Sequence, residues 1–488
     1  MTTFLGMPGI PGREEQTGTA RDLLEEVVER DWCIGCGACA ALPDSAIEIR
    51  MTEQGRFRAQ ARPGADLDAT GGYLRVCPFA SQYDEDQLAR GFLEAEEAEH
   101  TDELGSFRAT LAGHVADGGF RDRGSSGGMT TWFVDRLLAE DEVDAVLHVG
   151  ARGGHGDLFG YRVSTSSDEV RANAKTRYYP VEMSEVLAHV RDVDRRYAVV
   201  GLPCFIKAVR LLQVEDPVFA ERVRYCVGLV CGHLKSTRFA DAMAWQQGVT
   251  PGELTAIDFR KKTATRADAY AIETVDRHGV VRSAPNHEHV VADWGMGMFK
   301  YSACEWCDDV TAETADISFG DAWLPGYRND PRGANVAVVR SPQAQGVVDR
   351  AAAALAAEEV GPDQVAASQA AGLRHRREGL AHRLEVRRRQ GLPTPRKRVQ
   401  PSADIPEGRQ RIYELRSELL EAVDASYSAG VVAGRFSQFR RRIMPSVARY
   451  EHLYETDAKA RLKGVLRRQA PGLRVKISAA VSRLRAQR

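Results

Sequence analysis

The sequence predicts a mixed α/β (α+β) fold in three parts: a small cysteine-containing N-terminal module, a central α/β domain with a mixed sheet, and a helical C-terminal extension. Residues 31–80 combine closely spaced cysteines with small and turn-forming residues. From about residue 108, buried-strand patterns alternate with amphipathic helical patterns, as in a covered and largely parallel sheet. After residue 345 the chain becomes rich in Ala, Glu and Arg at helical spacing.

The composition is that of a globular protein with room for several domains. The chain has 488 residues, of which 43% are apolar. No apolar run reaches the roughly 18 residues that a membrane helix needs, and the first residues lack the pattern of a secretory signal. We therefore expect a cytoplasmic protein, in which nine cysteines indicate metal or redox chemistry more often than disulfides.

The elements follow one another in five predicted segments. We expect a lead-in over residues 1–30 that ends in a helix at 21–30, the cysteine module at 31–80, an acidic helical linker at 81–107, the α/β domain at 108–345 and an Arg-rich helical region at 346–488. The acidic run between residues 84 and 103 predicts the linker helix. Prolines near 391–407 predict a linker, and breaks between the last helices are expected near Pro445 and Pro471.

Within the α/β domain, hydrophobic periodicity predicts the individual elements. Strands are expected at residues 143–149, 196–202, 225–230, 269–275 and 336–340, and helices at 129–138 and 205–212.

Charge is distributed unevenly along the chain. The net charge is −2, but residues 371–488 carry about +17 and residues 1–370 about −19. An Arg-rich tail of this kind can bind an acidic partner, anionic lipid or nucleic acid. Nucleic acid is the least expected of these, and a solvated helical surface is the plain alternative.

The first cysteine motif has the spacing of an iron–sulfur site. Cys33, Cys36 and Cys39 are each separated by two residues, and Cys77 follows 38 residues later, directly before Pro78. Three closely spaced thiolates can wrap one face of a 4Fe–4S cluster, and a distant Cys-Pro can supply the fourth ligand. No second cysteine run lies nearby, so we expect Cys77 to complete the same cluster. A zinc site is the alternative, although zinc prefers two cysteine pairs separated by a longer loop.

A second set of cysteines is scattered over the α/β domain. Cys204 and Cys231 each follow a predicted strand, and Cys304 and Cys307 form a close pair on a later loop. In a parallel sheet the first two emerge at the carboxyl edge, where open α/β sheets bind ligands. Four thiolates from three loops fit a second 4Fe–4S cluster, a structural zinc or buried free cysteines. Cys226 lies within a predicted strand and is expected in the core.

Several residues are candidates for binding an anionic cofactor. Ser125, Ser126, Gly127 and Gly128 precede a helix and form a candidate phosphate cradle, although a serine that merely caps the helix is equally consistent. Lys175 can pair with a phosphate or lie near a flavin, and Lys207 lies one turn after Cys204. A basic run at residues 260–262 is a further candidate, and ordinary solvated lysines are the alternative. No GxGxxG motif follows a strand, so a standard Rossmann dinucleotide site is not predicted.

An ordered set of these motifs resembles the β-subunit family of coenzyme F420 hydrogenase and dehydrogenase. The matching pieces, between about residues 30 and 340, are Ser125 to Gly128, Gly201 to Cys204, Val227 to Cys231, Asp258 to Lys261, Cys304 to Asp308 and Ala315 to Asp321. Phe205 replaces an expected Gln, and Lys261 replaces an expected Asp; these departures affect the identity of the flavin's partner more than the flavin. The basic region after residue 345 is not covered by the resemblance.

The resemblance implies an N-terminal ferredoxin-like 4Fe–4S module followed by an FAD-binding α/β domain. It implies that Cys204, Cys231, Cys304 and Cys307 hold a cluster beside the flavin. It also implies FAD contacts from residues 125–128, Lys175 and Asp321, and coenzyme F420 as a substrate. Family members exchange electrons with coenzyme F420 or reduce another organic substrate, so a deazaflavin or a small organic acceptor is expected.

Three hypotheses about function follow. The first is an oxidoreductase that passes electrons between 4Fe–4S clusters and FAD and exchanges hydride with coenzyme F420 or a related acceptor. The second is a non-catalytic electron-transfer subunit of a larger complex or a polysaccharide-modifying pathway, with a redox partner protein or ferredoxin. The third is a zinc-stabilised binding protein without redox function. The sequence assigns no catalytic acid or base in any of them.

Overall fold

The computed structural model describes residues 17–94, 97–154 and 157–454. The chain divides into two compact units. The main unit comprises Met1–Asn286 with Phe299–Ala403, and the helical unit comprises His287–Met298 with Asp404–Arg488. None of the helices in the described ranges has both the length and the apolar character needed to cross a bilayer.

Among the described residues, the strands belong to the main unit. In chain order they are β1 (Gly18–Thr19), β2 (Ile47–Met51), β3 (Phe57–Ala61), β4 (Thr70–Gly71), β5 (Glu99–Thr101), β6 (Gly105–Phe107), β7 (Ala109–Val115), β8 (Ala145–Gly154), β9 (Asp157–Ser164), β10 (Tyr197–Gly201), β11 (Val223–Leu229), β12 (Leu254–Lys261), β13 (Ala271–Asp276), β14 (Val281–Pro285), β15 (Ile317–Asp321), β16 (Asn335–Val339) and β17 (Leu355–Glu359).

The α-helices occur in both units. They are α1 (Ala20–Leu23), α2 (Glu85–Phe92), α3 (Phe120–Arg123), α4 (Met129–Ala139), α5 (Ser167–Ala172), α6 (Ser184–Asp192), α7 (Pro203–Glu215), α8 (Pro217–Arg222), α9 (Thr237–Gln246), α10 (Pro325–Arg328), α11 (Pro342–Arg350), α12 (Pro362–Ser368), α13 (Ala370–Arg376), α14 (Glu378–Arg389), α15 (Glu407–Val432) and α16 (Phe436–Tyr454).

A mixed eight-stranded sheet forms the centre of the main unit. Its strand order is β17, β7, β16, β15, β11, β10, β8, β9. The four strands from β15 to β8 run parallel to one another, and the flanking strands pair antiparallel. The parallel strand β10 is buried along its whole length, as expected for a sheet covered on both faces. The predicted α/β class with a mixed sheet is therefore confirmed.

Most of the strands and helices predicted for this domain are present. The strands expected at 143–149, 196–202, 225–230 and 336–340 belong to the central sheet, and the one at 269–275 belongs to a separate antiparallel sheet of β12, β13 and β14. The two predicted helices correspond to α4 and α7. Trp132, Phe133 and Leu137 of α4 pack into the core against the sheet, because residues at this spacing share one helical face.

The N-terminal module consists of short pieces. The helix predicted at 21–30 corresponds to α1 followed by the wider helical turns of Leu24–Val28. β2 and β3 form an antiparallel pair, and β1 pairs with β4. A 3₁₀ turn, Cys39–Ala41, continues the cysteine loop.

The acidic helix predicted between residues 84 and 103 is shorter than expected. The Asp84 side chain accepts a hydrogen bond from the Gln87 N–H at 2.8 Å and starts α2, which ends at Phe92. The chain then forms the antiparallel pair of β5 and β6. The prediction was wrong here because charge alone does not distinguish a helix from an exposed edge strand.

The helical pattern after residue 345 is interrupted by a strand. β17 pairs antiparallel with β7 at the edge of the central sheet, although its sequence is rich in alanine. Pairing with an open sheet edge outweighs the local helix propensity. The helices α12, α13 and α14 follow within the main unit.

The helical unit contains the pair of helices α15 and α16. The chain turns between them at Gly434, which has a φ of +62°. The break predicted near Pro445 is wrong, because Pro445 lies within α16. Phe439, Ile443 and Val447 of α16 are buried at helical spacing on either side of it, so packing maintains the helix despite the proline. Pro471 lies outside the described residues.

Candidate metal centre and anion-binding loop

The first four predicted ligands surround one cavity. Cys33, Cys36, Cys39 and Cys77 all line it, and the other lining side chains are almost entirely apolar. Gly35 has a φ of +64°, and a Cβ at this position would collide with the backbone of Phe57. A glycine here therefore lets the cysteine loop close tightly over the cavity.

Backbone N–H groups point at the sulfurs of this set. The N–H groups of Gly35 and Ala59 each donate to Cys33 Sγ at 3.4 Å. Burial raises the pKa of the free Cys77 thiol to about 12, and the backbone N–H of Phe79 acts in the opposite direction. Such N–H donors stabilise negatively charged sulfur and are a usual feature of iron–sulfur sites. The donor set and its apolar surroundings fit a 4Fe–4S cluster.

The second four cysteines converge at the carboxyl edge of the central sheet. Cys204 follows β10 and Cys231 follows β11, and these strands are parallel neighbours. Cys304 and Cys307 come from the 3₁₀ turn Ser302–Trp306 and the residue after it. Burial raises the pKa of Cys204 well above its ordinary value, and the adjacent thiols of Cys307, Cys231 and Cys304 raise it further. These four side chains therefore form one electrostatically coupled group.

The surroundings of the second set also supply backbone hydrogen bonds. The N–H of Leu234 donates to Cys304 Sγ at 3.3 Å, and the Cys231 N–H donates to the carbonyl of Val310 at 2.9 Å. The first of these bonds is of the same kind as those at Cys33. The residues of this set thus also fit a cluster with four thiolate ligands.

The two cysteine sets are neighbours. The thiol of Cys36, in the first set, contributes to the raised pKa of Cys204 in the second. Tyr161 is buried beside both Cys204 and Cys36, which together with burial raise its pKa. Its hydroxyl donates to the carbonyl of Val200 at 2.9 Å, and its ring stacks on that of Phe205 at a centroid distance of 6.2 Å.

A second tyrosine lies between the two sets. Burial raises the pKa of Tyr301, and the thiols of Cys33 and Cys304 contribute in the same direction. The Tyr301 hydroxyl accepts a hydrogen bond from the N–H of Phe57 at 2.8 Å. Two buried tyrosines, Tyr161 and Tyr301, are therefore close to cysteines of both sets.

Within residues 17–94, 97–154 and 157–454, no three His, Cys, Asp or Glu side chains converge closely enough to hold a single metal ion. A 4Fe–4S cluster makes a different demand, because each of its four thiolates binds a different iron atom. Cys226, the remaining cysteine, is fully buried in β11, which confirms its predicted place in the core.

The small-residue loop before α4 is not a simple helix cap. Residue Gly128, with a φ of +86°, is the N-cap of α4, and no side chain caps the helix there. Ser125 Oγ instead accepts the N–H of Thr176 at 2.9 Å, and Ser126 Oγ donates to the carbonyl of Ala334 at 2.8 Å. Among the described residues, none accepts a hydrogen bond from the backbone N–H groups of Ser126, Gly127 or Gly128.

Cationic side chains gather around this loop. Lys262 donates to the carbonyls of Arg121 and Ser126, the second at 3.1 Å. Burial, together with the positive charges of Lys175 and Arg121, lowers the pKa of Lys262 to about 8. Lys175 itself pairs with Asp258 at 2.9 Å. Arg121 pairs with Asp330 at 2.8 Å, so Lys262 is the cation of this group that has no carboxylate partner within the described ranges. A cation beside free backbone N–H groups at a helix start is the physical character of an anion site.

The other two predicted cofactor residues, Lys207 and Asp321, are both in ion pairs. Lys207 is buried and pairs with Glu85 at 3.0 Å, and it lies close enough to Cys77 to lower the pKa of that thiol. It therefore belongs to the surroundings of the first cysteine set. Asp321 is the last residue of β15 and forms an ion pair with Arg260. The backbone N–H of Arg260 donates to Asp258 at 2.9 Å, and Asp258 is the partner of Lys175.

Sequence reasoning missed part of this site. Lys262 is part of the basic run at 260–262, but nothing in the sequence indicates that it, and not Lys261, contacts the loop. In the structure Lys261 pairs with Glu273. Arg121 precedes the loop and gave no signal, because its partners, the Gly333 carbonyl and the Asp330 carboxylate, lie more than 200 residues away in sequence. Arg376, which contacts the second cysteine set, lies in a region that the sequence pattern indicated only as a general basic surface.

Comparison with known proteins identifies the family. Two family models, for the N-terminal part and the C terminus of the coenzyme F420 hydrogenase/dehydrogenase beta subunit, match residues 110–188 and 194–364 respectively. Together they cover about half of the chain. The matched segments contain the loop at 125–128 and all four cysteines of the second set; the first cysteine set precedes them.

Individual relatives carry related names. The chain is 24% identical over 314 residues to the F subunit of the F(420)H(2) dehydrogenase of Methanosarcina mazei, covering 62% of this chain and 79% of the relative. A solved structure of the F420-reducing NiFe hydrogenase complex from Methanosarcina barkeri contains a chain that is 17% identical, with a TM-score of 0.46 over 59% of this chain and 96% of that one. On the two family models, this chain belongs to the coenzyme F420 hydrogenase/dehydrogenase beta-subunit family.

Proposed function

We propose that this chain is an iron–sulfur flavoprotein oxidoreductase that transfers electrons between two 4Fe–4S clusters and FAD and exchanges hydride with coenzyme F420 or a related organic acceptor. The observation that carries the proposal is the adjacency of two groups of four cysteines, which meet at Cys36 and Cys204. When bound, the clusters supply one-electron chemistry and the flavin couples it to two-electron chemistry.

Separate groups of residues in the chain hold the two clusters. Cys33, Cys36, Cys39 and Cys77 hold the first cluster, and Cys204, Cys231, Cys304 and Cys307 hold the second. Their buried surroundings exclude water and supply N–H donors to sulfur. Burial and hydrogen bonds to sulfur are among the factors that set the potential of such centres.

The loop at residues 125–128 and the cations beside it bind the diphosphate of FAD. Lys262 and Lys175 supply positive charge, and the loop supplies backbone N–H groups at the start of α4. β7 leads into this loop and runs in the same direction as β15 and β11. The loop and the second cysteine set are therefore at the same edge of the sheet, which supports flavin binding close to that set.

The name of one relative supports the choice of substrate and partner. That relative is named as part of an F(420)H(2) dehydrogenase, which supports reduced coenzyme F420 as the hydride donor. Its status as one subunit of that enzyme supports a redox partner protein or ferredoxin as the other electron carrier. It equally favours a second candidate function, in which this chain only relays electrons and a partner performs catalysis.

Turnover by the isolated chain tests the proposal. The anaerobically purified, reconstituted protein is expected to oxidise reduced coenzyme F420 with an artificial electron acceptor. Cys36→Ser and Cys204→Ser are each expected to reduce this activity strongly, while Cys226→Ala, which changes a core cysteine outside both sets, retains it. Absence of turnover with clusters and flavin fully loaded would favour the electron-relay function. Full wild-type activity in Cys36→Ser and Cys204→Ser as well as in Cys226→Ala would contradict both functions.

A further inference from the structure

The segment that follows the family match covers the second cysteine set. The matched region ends at residue 364, and α13 and α14 come after it. Arg376, at the end of α13, donates to the carbonyls of Cys304 and Gly232. In α14, Arg383 donates to the carbonyl of Glu305 at 2.9 Å. Helices outside the recognised family region thus hold both loops that carry Cys231 and Cys304.

The charge of Arg376 is the unusual feature of this contact. Its side chain is buried, with 5% of the residue exposed. In the part of the chain that the structure describes, no carboxylate forms an ion pair with it. Glu305, the carboxylate that acts most strongly on the pKa of Arg376, is paired with Lys300 and Arg383. The two carbonyls satisfy N–H donors of the guanidinium but do not neutralise its charge.

The groups that face Arg376 are three of the four cysteines. Cys307, Cys304 and Cys231 are, in this order, the ionisable groups whose charges act most strongly on the pKa of Arg376. A buried guanidinium without a counter-charge costs several kcal/mol. Ligated thiolates and the cluster that they hold would supply that counter-charge, because a cluster with four thiolates is an anion in either oxidation state.

We propose that Arg376 is a positioning residue that compensates the charge of the second cluster and raises its reduction potential. This inference rests on the proposed function, because it assumes a cluster at Cys204, Cys231, Cys304 and Cys307. Reduction adds one negative charge to the cluster, so a fixed neighbouring cation stabilises the reduced form more than the oxidised form. The extension after residue 364 thereby acts on electron transfer and is more than a solvated surface.

The direct test is the potential of each cluster in the reconstituted holoprotein. In Arg376→Gln we expect the ratio of reduced to oxidised second cluster at a fixed potential to fall about tenfold, which for a one-electron couple is about 59 mV. The potential of the first cluster stays unchanged. Redox titration followed by electron paramagnetic resonance measures both, and the second signal is assigned by its loss in Cys304→Ala.

Two further variants distinguish the effect of the Arg376 charge from a structural effect of losing its side chain. Arg374→Gln removes the same charge from an exposed position of the same helix and should leave both potentials unchanged. Arg376→Lys keeps the charge and should recover most of the shift. The proposal is overturned if Arg376→Gln leaves the second cluster at its wild-type potential, or if it shifts both clusters equally.

Iron content distinguishes this proposal from the function on which it rests. A wild-type protein with only about four iron atoms per chain would refute the second cluster itself, before any variant is compared. If Arg376→Gln does not assemble the second cluster, its potential cannot be measured, and Arg376→Lys becomes the test of the role of charge. A lysine variant with a full iron content and a potential close to wild type supports the role of charge, and one with the second cluster absent overturns it.

Discussion

Lys262 is the single side chain on which the anion site depends most. It is held by two carbonyls at the start of the loop, and its neighbours Lys175 and Arg121 are also cations. Lys175 pairs with Asp258 and Arg121 with Asp330, so their charges are compensated. Lys262 has no carboxylate partner among the described residues, and an anion bound beside it would offset the cost of burying its charge. Burial and the neighbouring positive charges lower the pKa of Lys262.

Removing the charge of Lys262 should weaken flavin binding. For Lys262→Met we expect a loss of about 1.5–3 kcal/mol in FAD binding free energy, the usual worth of a hydrogen bond to a charged group, or roughly a ten- to hundredfold higher Kd. Fluorescence titration of the flavin-free protein with FAD measures this. Lys261→Met, which removes the neighbouring lysine paired with Glu273, is the matched control and should change the Kd little.

The same residue predicts a pH dependence. In the flavin-free protein Lys262 is charged below about pH 8 and neutral above it. Affinity for FAD should therefore be full at pH 7 and fall as the pH rises through 8, because the ammonium that attracts the phosphates is lost. Lys262→Arg does not titrate in this range and should bind FAD equally at pH 7 and 9. An equal decline in wild type and arginine variant would show that another group is responsible.

At the residue level, the sequence predicted the ligands better than their surroundings. The spacing of Cys33, Cys36 and Cys39 is a local feature, and the structure brings these residues and Cys77 around one cavity. Whether they bind iron stays a prediction. Arg121 and Arg376 could not be predicted, because the contacts that define them join positions more than 70 residues apart in sequence.

At the level of elements, the turn into α4 is the feature that shapes the loop at 125–128. Gly128 has a left-handed conformation, and a Cβ there would lie 2.6 Å from the backbone of Phe120. Gly128→Ala should therefore destabilise the main unit by about 1–3 kcal/mol and weaken FAD binding. Gly119→Ala is the control, because Gly119 is also left-handed but has open space around it. Thermal unfolding should show a clearly smaller effect for the control.

The helix α16 provides a test of how packing overrides propensity. Pro445 is exposed within this helix, where a proline removes one hydrogen bond and costs up to about 3 kcal/mol. Pro445→Ala should raise the thermal midpoint of the transition that belongs to the helical unit and increase helical circular dichroism. Ser446→Ala should do neither. A lower midpoint in the proline variant would mean that the proline supports a required bend.

The elements that the sequence predicted correctly are those with strong internal patterns. β10, β11 and α4 combine apolar runs with clear boundaries, so local information is sufficient for them. The predictions failed at residues 99–107 and 355–359, where strands form only because a partner edge is present. Sheet pairing between distant segments leaves little trace in a single sequence.

At the level of the main unit, one basic segment joins its parts. Arg398 forms ion pairs with Asp86, near the first cysteine set, and with Glu313, near the second. Lys397 pairs with Asp308 at 3.2 Å. The predicted linker at 391–407 therefore includes residues that are fixed to the two candidate cluster regions.

Removing the ion pairs of Arg398 should lower the free energy of unfolding more than is usual for a residue in a linker. Arg398→Gln leaves the almost fully buried carboxylate of Glu313 paired with Arg377 alone among the described residues, and we expect a loss of about 1.5–3 kcal/mol in unfolding free energy, the usual worth of hydrogen bonds to a charged group. Arg396→Gln removes an exposed charge from the same segment and should change stability by less than about 0.5 kcal/mol. Chemical denaturation of both variants measures the difference. Equal stabilities would contradict a structural role for the segment.

At the level of the whole molecule, we expect one chain to hold two separate clusters. Counting iron, acid-labile sulfide and FAD after anaerobic reconstitution tests this most directly, in the wild type and in Cys39→Ala and Cys304→Ala. We predict about eight iron atoms, eight sulfides and one FAD for the wild type, and about four iron atoms for each variant. Zinc without sulfide in the wild type, or iron contents unchanged by both substitutions, would contradict it.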